Sequence, residues 1–108
     1  MSEFSLYTVL HVWEKANIVE GYNPDIWRKD FAGAWIKRDA YNETSAFGWN
    51  VVLDKPESKG GNFEMTNLRP MHWQNAESKG DNYPYFKSKL SSLENKNIEK
   101  ELTWEISI

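Results

Sequence analysis

The chain has two histidines, His11 and His72, and no cysteine. Those counts limit the chemistry it can do. A thiol nucleophile, an internal disulfide and a cysteine-bound zinc are excluded together. Histidine, carboxylate and lysine side chains remain as bases or metal ligands. His72 stands just before Trp73, near the start of a predicted helix, and is a candidate displaced base or ligand. A lone histidine in such a place more commonly serves as a surface or helix-end residue. His11 lies in the apolar stretch 4–13 and is read as a structural residue. Asn75 could share a hard cation with Asp54 or Glu57, but a neutral amide without a fixed carboxylate pair makes a weak site. Gly60-Gly61 reads as turn chemistry rather than a phosphate cradle, because no helix start follows it directly.

The charge balance narrows the partners. Thirteen Lys and Arg stand against sixteen Asp and Glu, giving a net charge of −3 and an isoelectric point near 5.4. Phosphate-gripping proteins usually carry a basic face, which here has to be local. Lys55, Lys59, Arg69, Lys79, Lys87 and Lys89 are interleaved with Asp54, Glu57, Glu64, Glu77 and Asp81, which largely cancel them. Weak, salt-sensitive nucleic-acid binding is the most this pattern allows, because counterion release needs net positive density. The mean hydropathy is −0.73, and no apolar run approaches the roughly 20 residues of a membrane span, so no membrane partner is expected. Residues 1–3 do not lead from a basic segment into an apolar one, so no secretion signal is expected there. The lack of cysteine fits a cytoplasmic setting.

Elements that could position these residues follow from periodicity and turn signals. At 108 residues, with 40% hydrophobic and 15% aromatic content, the chain suits one domain, 1–108, with a small core. Leu6, Leu10 and Trp13 are at helical spacing, which predicts a short N-terminal helix over 4–13. Gly21 and Pro24 mark a loop over 17–25. The stretches 34–41 and 47–53 are rich in aromatic and β-branched residues, with turn residues at 42–45 between them, and predict a hairpin. A loop over 54–66 precedes a helix from about 70 to 79, with Pro70 suited to its first turn and Gly80 to its end. Residues 83–93 are mixed and 95–100 polar. Leu102, Trp104, Ile106 and Ile108 then alternate with polar residues and predict a final half-buried strand. The expected class is α+β. The six tryptophans are expected mostly in the core, with one or two left to anchor a partner.

The most informative stretch is 27–81. It carries Trp27-Arg28-Lys29-Asp30, Gly33-Ala34-Trp35-Ile36 and Gly48-Trp49. Then come Pro56-Glu57-Ser58-Lys59-Gly60-Gly61, Asn67-Leu68-Arg69-Pro70-Met71 and Asn75-Ala76-Glu77-Ser78-Lys79. In this order and spacing the stretch resembles the small HNH endonuclease-like domains. Their ββα-metal core is a hairpin, a loop and a helix around one metal ion. The resemblance implies a base His at the end of a strand, an Asp before it, a His or Asn on the helix, and a middle Asn that bonds across the loop. Counted without gaps from Trp49 to Pro56, the Asp-His pair falls on Val52 and Leu53, and the helix ligand falls on Ala76. Of these positions only the middle one, Asn67, keeps its residue. Val, Leu and Ala offer no lone pair to a metal and accept no proton.

The resemblance therefore implies a degenerate member, with no catalytic residue, no metal ligand and no cofactor. A gapped alignment would set Asp54-Lys55 against the Asp-His pair. It breaks the spacings from Trp49 to Pro56 and from Pro56 to Gly60-Gly61, and a protonated lysine is a poor base. The expected role is protein–protein recognition, as an inhibitor, decoy or accessory factor of a nuclease or nucleic-acid machine. The expected contact residues are Leu53, Lys55, His72, Trp73, Asn75 and Lys79. The alternatives are an active metal-dependent nuclease with relocated site residues and a plain DNA- or RNA-binding module. Burial of Val52, Leu53 and Ala76 would mean a site simply filled in. An open apolar groove there would point to a docked partner.

Overall fold

The computed structural model describes residues 4–107. The first helix, α1 (Leu6–Trp13), starts where Ser5 caps it, its hydroxyl accepting from the Thr8 amide at 3.1 Å. Phe4 stays outside the helix. Val9, Val12, Trp13 and Ala16 repeat at helical spacing and are buried, forming one side of the core. His11 is on the other side, exposed, with its ring against Tyr7. Its neighbours are apolar in sequence, but it projects from the solvent side of the helix.

Among the described residues, six strands pair into three antiparallel two-stranded sheets. β1 (Trp27–Lys29) pairs with β2 (Trp35–Lys37), β3 (Trp49–Leu53) with β4 (Leu68–His72), and β5 (Tyr85–Leu93) with β6 (Lys96–Glu105). The second helix, α2 (Trp73–Lys79), follows β4 directly. Helices and separate antiparallel sheets make this an α+β protein, as expected.

The strand partners differ from the predicted hairpin of 34–41 with 47–53. Those two stretches form no strand ladder: they are joined by the Lys37 amide on the Phe47 carbonyl, the Trp49 indole on the Arg38 carbonyl at 3.2 Å, and a bridge between Tyr41 and Trp49. The reason is the turn at Asp30. Its Oδ1 accepts from the Ala32 and Ala34 amides, and Gly33 takes the positive φ of +92° that the turn needs. The chain therefore folds back early and β2 pairs with β1. That frees β3 to pair with β4 across the loop 54–67, with Val51 opposite Pro70 and Leu53 opposite Leu68.

The predicted helix over 70–79 also starts later. Pro70, Met71 and His72 belong to β4, and His72 rather than Pro70 sets the helix start. The predicted C-terminal strand is one arm of a longer hairpin. Phe86, Ser88 and Leu90 face inward on β5. Ser88 breaks the hydrophobic alternation that marks a strand, yet it is buried because its hydroxyl accepts from the Trp104 indole at 2.8 Å. Ile108 lies outside the described residues.

The main core joins α1 to Ile36, Trp49 and Leu68, with Tyr41, Val51 and Leu53 packed against it. The Trp49 ring meets Trp13 at 5.4 Å and Tyr41 at 5.1 Å. Each fully buried aliphatic side chain in this cluster contributes about 1.5–3 kcal/mol. Among the described residues, no helix is long and apolar enough to cross a membrane.

Candidate functional site

The hairpin of β3 and β4, its loop and α2 bring Val52, Leu53 and Ala76 to one place. All three are half-buried and line an open groove of about 440 Å³ beside β3 and the end of α2. Pro56 extends its apolar floor, and the charged residues around it are Glu57 and Asp81. The positions that resemblance assigns to chemistry are therefore neither scattered nor sealed. Leu53 also packs against the main core, which holds that end of β3 in place.

The loop that closes the hairpin is fixed by Asn67. Its Oδ1 accepts from the Lys55 amide at 2.9 Å, and its Nδ2 donates to the Lys55 carbonyl at 3.0 Å and the Asn62 carbonyl at 2.7 Å. An amide side chain supplies a donor and an acceptor at once, which a carboxylate or hydroxyl cannot do as well in this geometry. Gly61 lies so close to the Lys55 carbonyl that a Cβ there would sit 1.6 Å from it, so this turn admits only glycine.

The remaining candidate residues are arranged differently from expectation. His72 is buried and caps α2: its Nδ1 accepts from the Gln74 amide at 3.1 Å, and its Nε2 lies 2.9 Å from the Ala46 carbonyl. These two bonds together require a neutral ring with the proton on Nε2. Burial lowers its pKa, opposed by the Ala46 carbonyl and the Asp30 charge. Asn75 is fully buried. Its Nδ2 donates to Asp30 Oδ2 at 2.9 Å and to the Leu90 carbonyl, and its Oδ1 accepts from the Lys89 and Leu90 amides. Lys79 is fully buried too, with Nζ donating to the Asn82 carbonyl at 3.1 Å and resting over the Phe86 ring. Its pKa is lowered by burial, against the pull of Asp54 and Asp81.

These three side chains, expected to contact a partner, turn their polar atoms inward onto partners within the fold. Trp73 is half-buried and donates to the Ser45 carbonyl at 2.7 Å. Lys55 is exposed, with Nζ 6.0 Å from the Tyr83 ring centre. Leu53 alone of the six expected contact residues lines the groove.

Asp30, which the sequence offered only as part of a pattern, is the centre of the buried polar cluster. It is fully buried, and its carboxylate accepts from the Ala32 and Ala34 amides on one oxygen, and from the His72 amide and Asn75 on the other. Burial pushes its pKa up, while the four donors pull it down. The sequence signal was there in Asp30-Phe31-Ala32-Gly33, an Asp followed closely by a Gly at a turn.

Asp54 and Asn75 do not come together as a cation site. Asp54 is held by Arg69, Nε to Oδ1 at 2.6 Å and Nη2 to Oδ2 at 3.1 Å, and the guanidinium lies over Phe31. Next to this pair, Lys15 donates to the Met65 and Leu68 carbonyls. Among the described residues, no group of three or more His, Asp or Glu is placed to hold a metal ion. No protein family matches the chain, and comparison with curated proteins and with solved structures finds no match.

Proposed function

We propose that this chain is a degenerate HNH-like ββα domain, kept as a binding module rather than a nuclease, and that it docks a protein partner in the groove beside β3 and α2. The observation that carries the reading is the placement of Val52, Leu53 and Ala76. Three side chains without lone pairs line one open groove where a catalytic member of that class would need a base and metal ligands. The order of strand, bridged loop, strand and helix supports the resemblance, as does Asn67 spanning the loop.

A protein partner fits better than nucleic acid. Of the six cations near the groove in sequence, Arg69 is paired with Asp54, Lys79 is buried, and Lys87 lies 3.5 Å from Glu101. The groove itself carries two carboxylates, which repel phosphate. An inhibitor, decoy or accessory subunit of a nuclease or nucleic-acid machine, working in the cytoplasm, is the role proposed. An active nuclease with relocated ligands would have to recruit Asp54, whose carboxylate is already clamped by Arg69.

Two measurements test this. Titration calorimetry with magnesium, manganese and zinc should give no stoichiometric site in the native chain. The triple change Val52→Asp, Leu53→His and Ala76→Asn should create one, provided circular dichroism shows it folded. Metal-dependent cleavage of DNA or RNA by the native chain would overturn the proposal. So would a nuclease made by Lys55→His alone. For docking, Ala76→Gln fills the groove floor without harming helix propensity. It should abolish capture of the native partner from host extract, and a partner retained at full yield would place the interface elsewhere.

A further inference from the structure

Sequence alone mixes acids and bases around this region, but the charged residues that line the groove are both acidic. They are Glu57, at the start of the short turn after Pro56, and Asp81, just past α2. Both are exposed, and they come from two different elements. Between them lies an apolar floor of Val52, Leu53, Pro56 and Ala76. The nearby cation Lys55 is drawn toward the Tyr83 ring, and Lys79 is sealed beneath α2 on the Asn82 carbonyl. A groove with an apolar floor, an acidic rim and no lining cation complements one side-chain type: a long apolar stem ending in a positive charge.

We infer that the groove takes an arginine from a basic segment of the partner protein, its methylene stem on Val52, Leu53 and Ala76 and its guanidinium between Glu57 and Asp81. Arginine suits the place better than lysine. Its planar fork engages two carboxylates at once, and its weakly hydrated head is the less costly to desolvate. The net charge of −3 adds long-range attraction for a basic partner. Buried arginines of this kind carry a large share of binding energy at protein interfaces. The inference rests on the groove being the docking site, but it makes a separate claim about charge.

The test uses the full chain labelled with ¹⁵N and three capped pentapeptides, Gly-Leu-X-Leu-Gly, in which X is arginine, citrulline or glutamate. Citrulline keeps the shape of arginine and removes the charge. The arginine peptide should shift the amide signals of Leu53, Ala76 and Gly80 and bind at least about fivefold tighter than the citrulline peptide, with the glutamate peptide weakest. In the double variant Glu57→Gln with Asp81→Asn the gap between arginine and citrulline should close, and at about 0.5 M salt it should shrink in the native chain. Equal binding of arginine and citrulline peptides in the groove would overturn the arginine assignment and leave the docking site standing. Shifts confined to another face, or no shift with the arginine peptide, would also overturn it. The docking site itself is judged independently by Ala76→Gln against the native partner, a change that touches neither carboxylate.

Discussion

Replacing Asn75 with alanine should strongly destabilise the protein, although the residue touches no candidate ligand. Its side chain makes four hydrogen bonds in a fully buried place, tying α2 to β5 and to the Asp30 carboxylate. Alanine leaves the buried Leu90 amide without an acceptor, at a cost of about 2 kcal/mol. It also takes one donor from a buried carboxylate, and bonds to charged groups are worth about 1.5–3 kcal/mol. The Lys89 amide belongs to an exposed residue and regains water, so it adds little. The expected loss is about 4 kcal/mol, against a total stability of about 5–15 kcal/mol for a domain of this kind. The corresponding drop in Tm is about 20 °C.

Urea denaturation followed by tryptophan fluorescence measures the loss directly, provided the slope with urea is unchanged. Asn75→Asp is the informative partner variant. It keeps the acceptor oxygen but sets a second carboxylate against Asp30, so it should be at least as destabilised at neutral pH and should partly recover on acidification. A loss below about 1 kcal/mol in Asn75→Ala would show that α2 is held by its apolar contacts alone, and the view of Asn75 as a structural tie would be wrong.

Other outcomes follow from the same geometry. His72 has a folded pKa below its ordinary value, so the unfolded chain takes up a proton first as pH falls. Its contribution is complete above the unfolded pKa of about 6.5 and is lost as pH drops below it. His72→Asn, which can still cap α2, should therefore show a flatter stability profile than the native chain between about pH 7 and 5, and parallel profiles would refute the neutral ring. Asn67→Ala should cost about 2 kcal/mol and speed hydrogen exchange at the Lys55 amide far more than at amides in α1, since it releases the loop and not the core. Lys79→Met keeps the packed stem and removes a charge that burial disfavours, so it should leave stability unchanged or raise it by about 1 kcal/mol at neutral pH. A loss above about 2 kcal/mol would mean that the bond to the Asn82 carbonyl outweighs the desolvation.

What could be read from the sequence was whatever local chemistry alone decides. The N-terminal helix, the strand at Trp49 and the helix end at Gly80 each depend on spacing or on one special residue. Pairing partners were not legible. Two apolar stretches near each other invite a hairpin, but the turn at Asp30 closes first and redirects β2 to β1. The β5 strand was hidden for a different reason. Ser88 breaks the apolar alternation, and only the Trp104 indole, sixteen residues later, makes its burial favourable. The site was half legible. Val52, Leu53 and Ala76 line one groove, yet three polar residues expected to face a partner face the interior.

That inversion has a physical logic. A short helix of seven residues cannot hold itself, since isolated helices of this length are marginal in water. Its stability has to come from what it touches. His72 caps its start, Asn75 stitches it to β5, and Lys79 anchors its last turn, each using polar atoms that would otherwise be free to bind something else. Ala76 shares the helix with them but points to the groove, where it has no structural duty beyond its own propensity. Within α2, Asn75 and Lys79 thus fasten the helix, while Ala76 leaves room beside it. Changes at the fastening residues should move stability and partner binding together. Changes at Ala76, Glu57 or Asp81 should move binding with stability nearly constant, and that separation is the signature of a surface kept open for a partner.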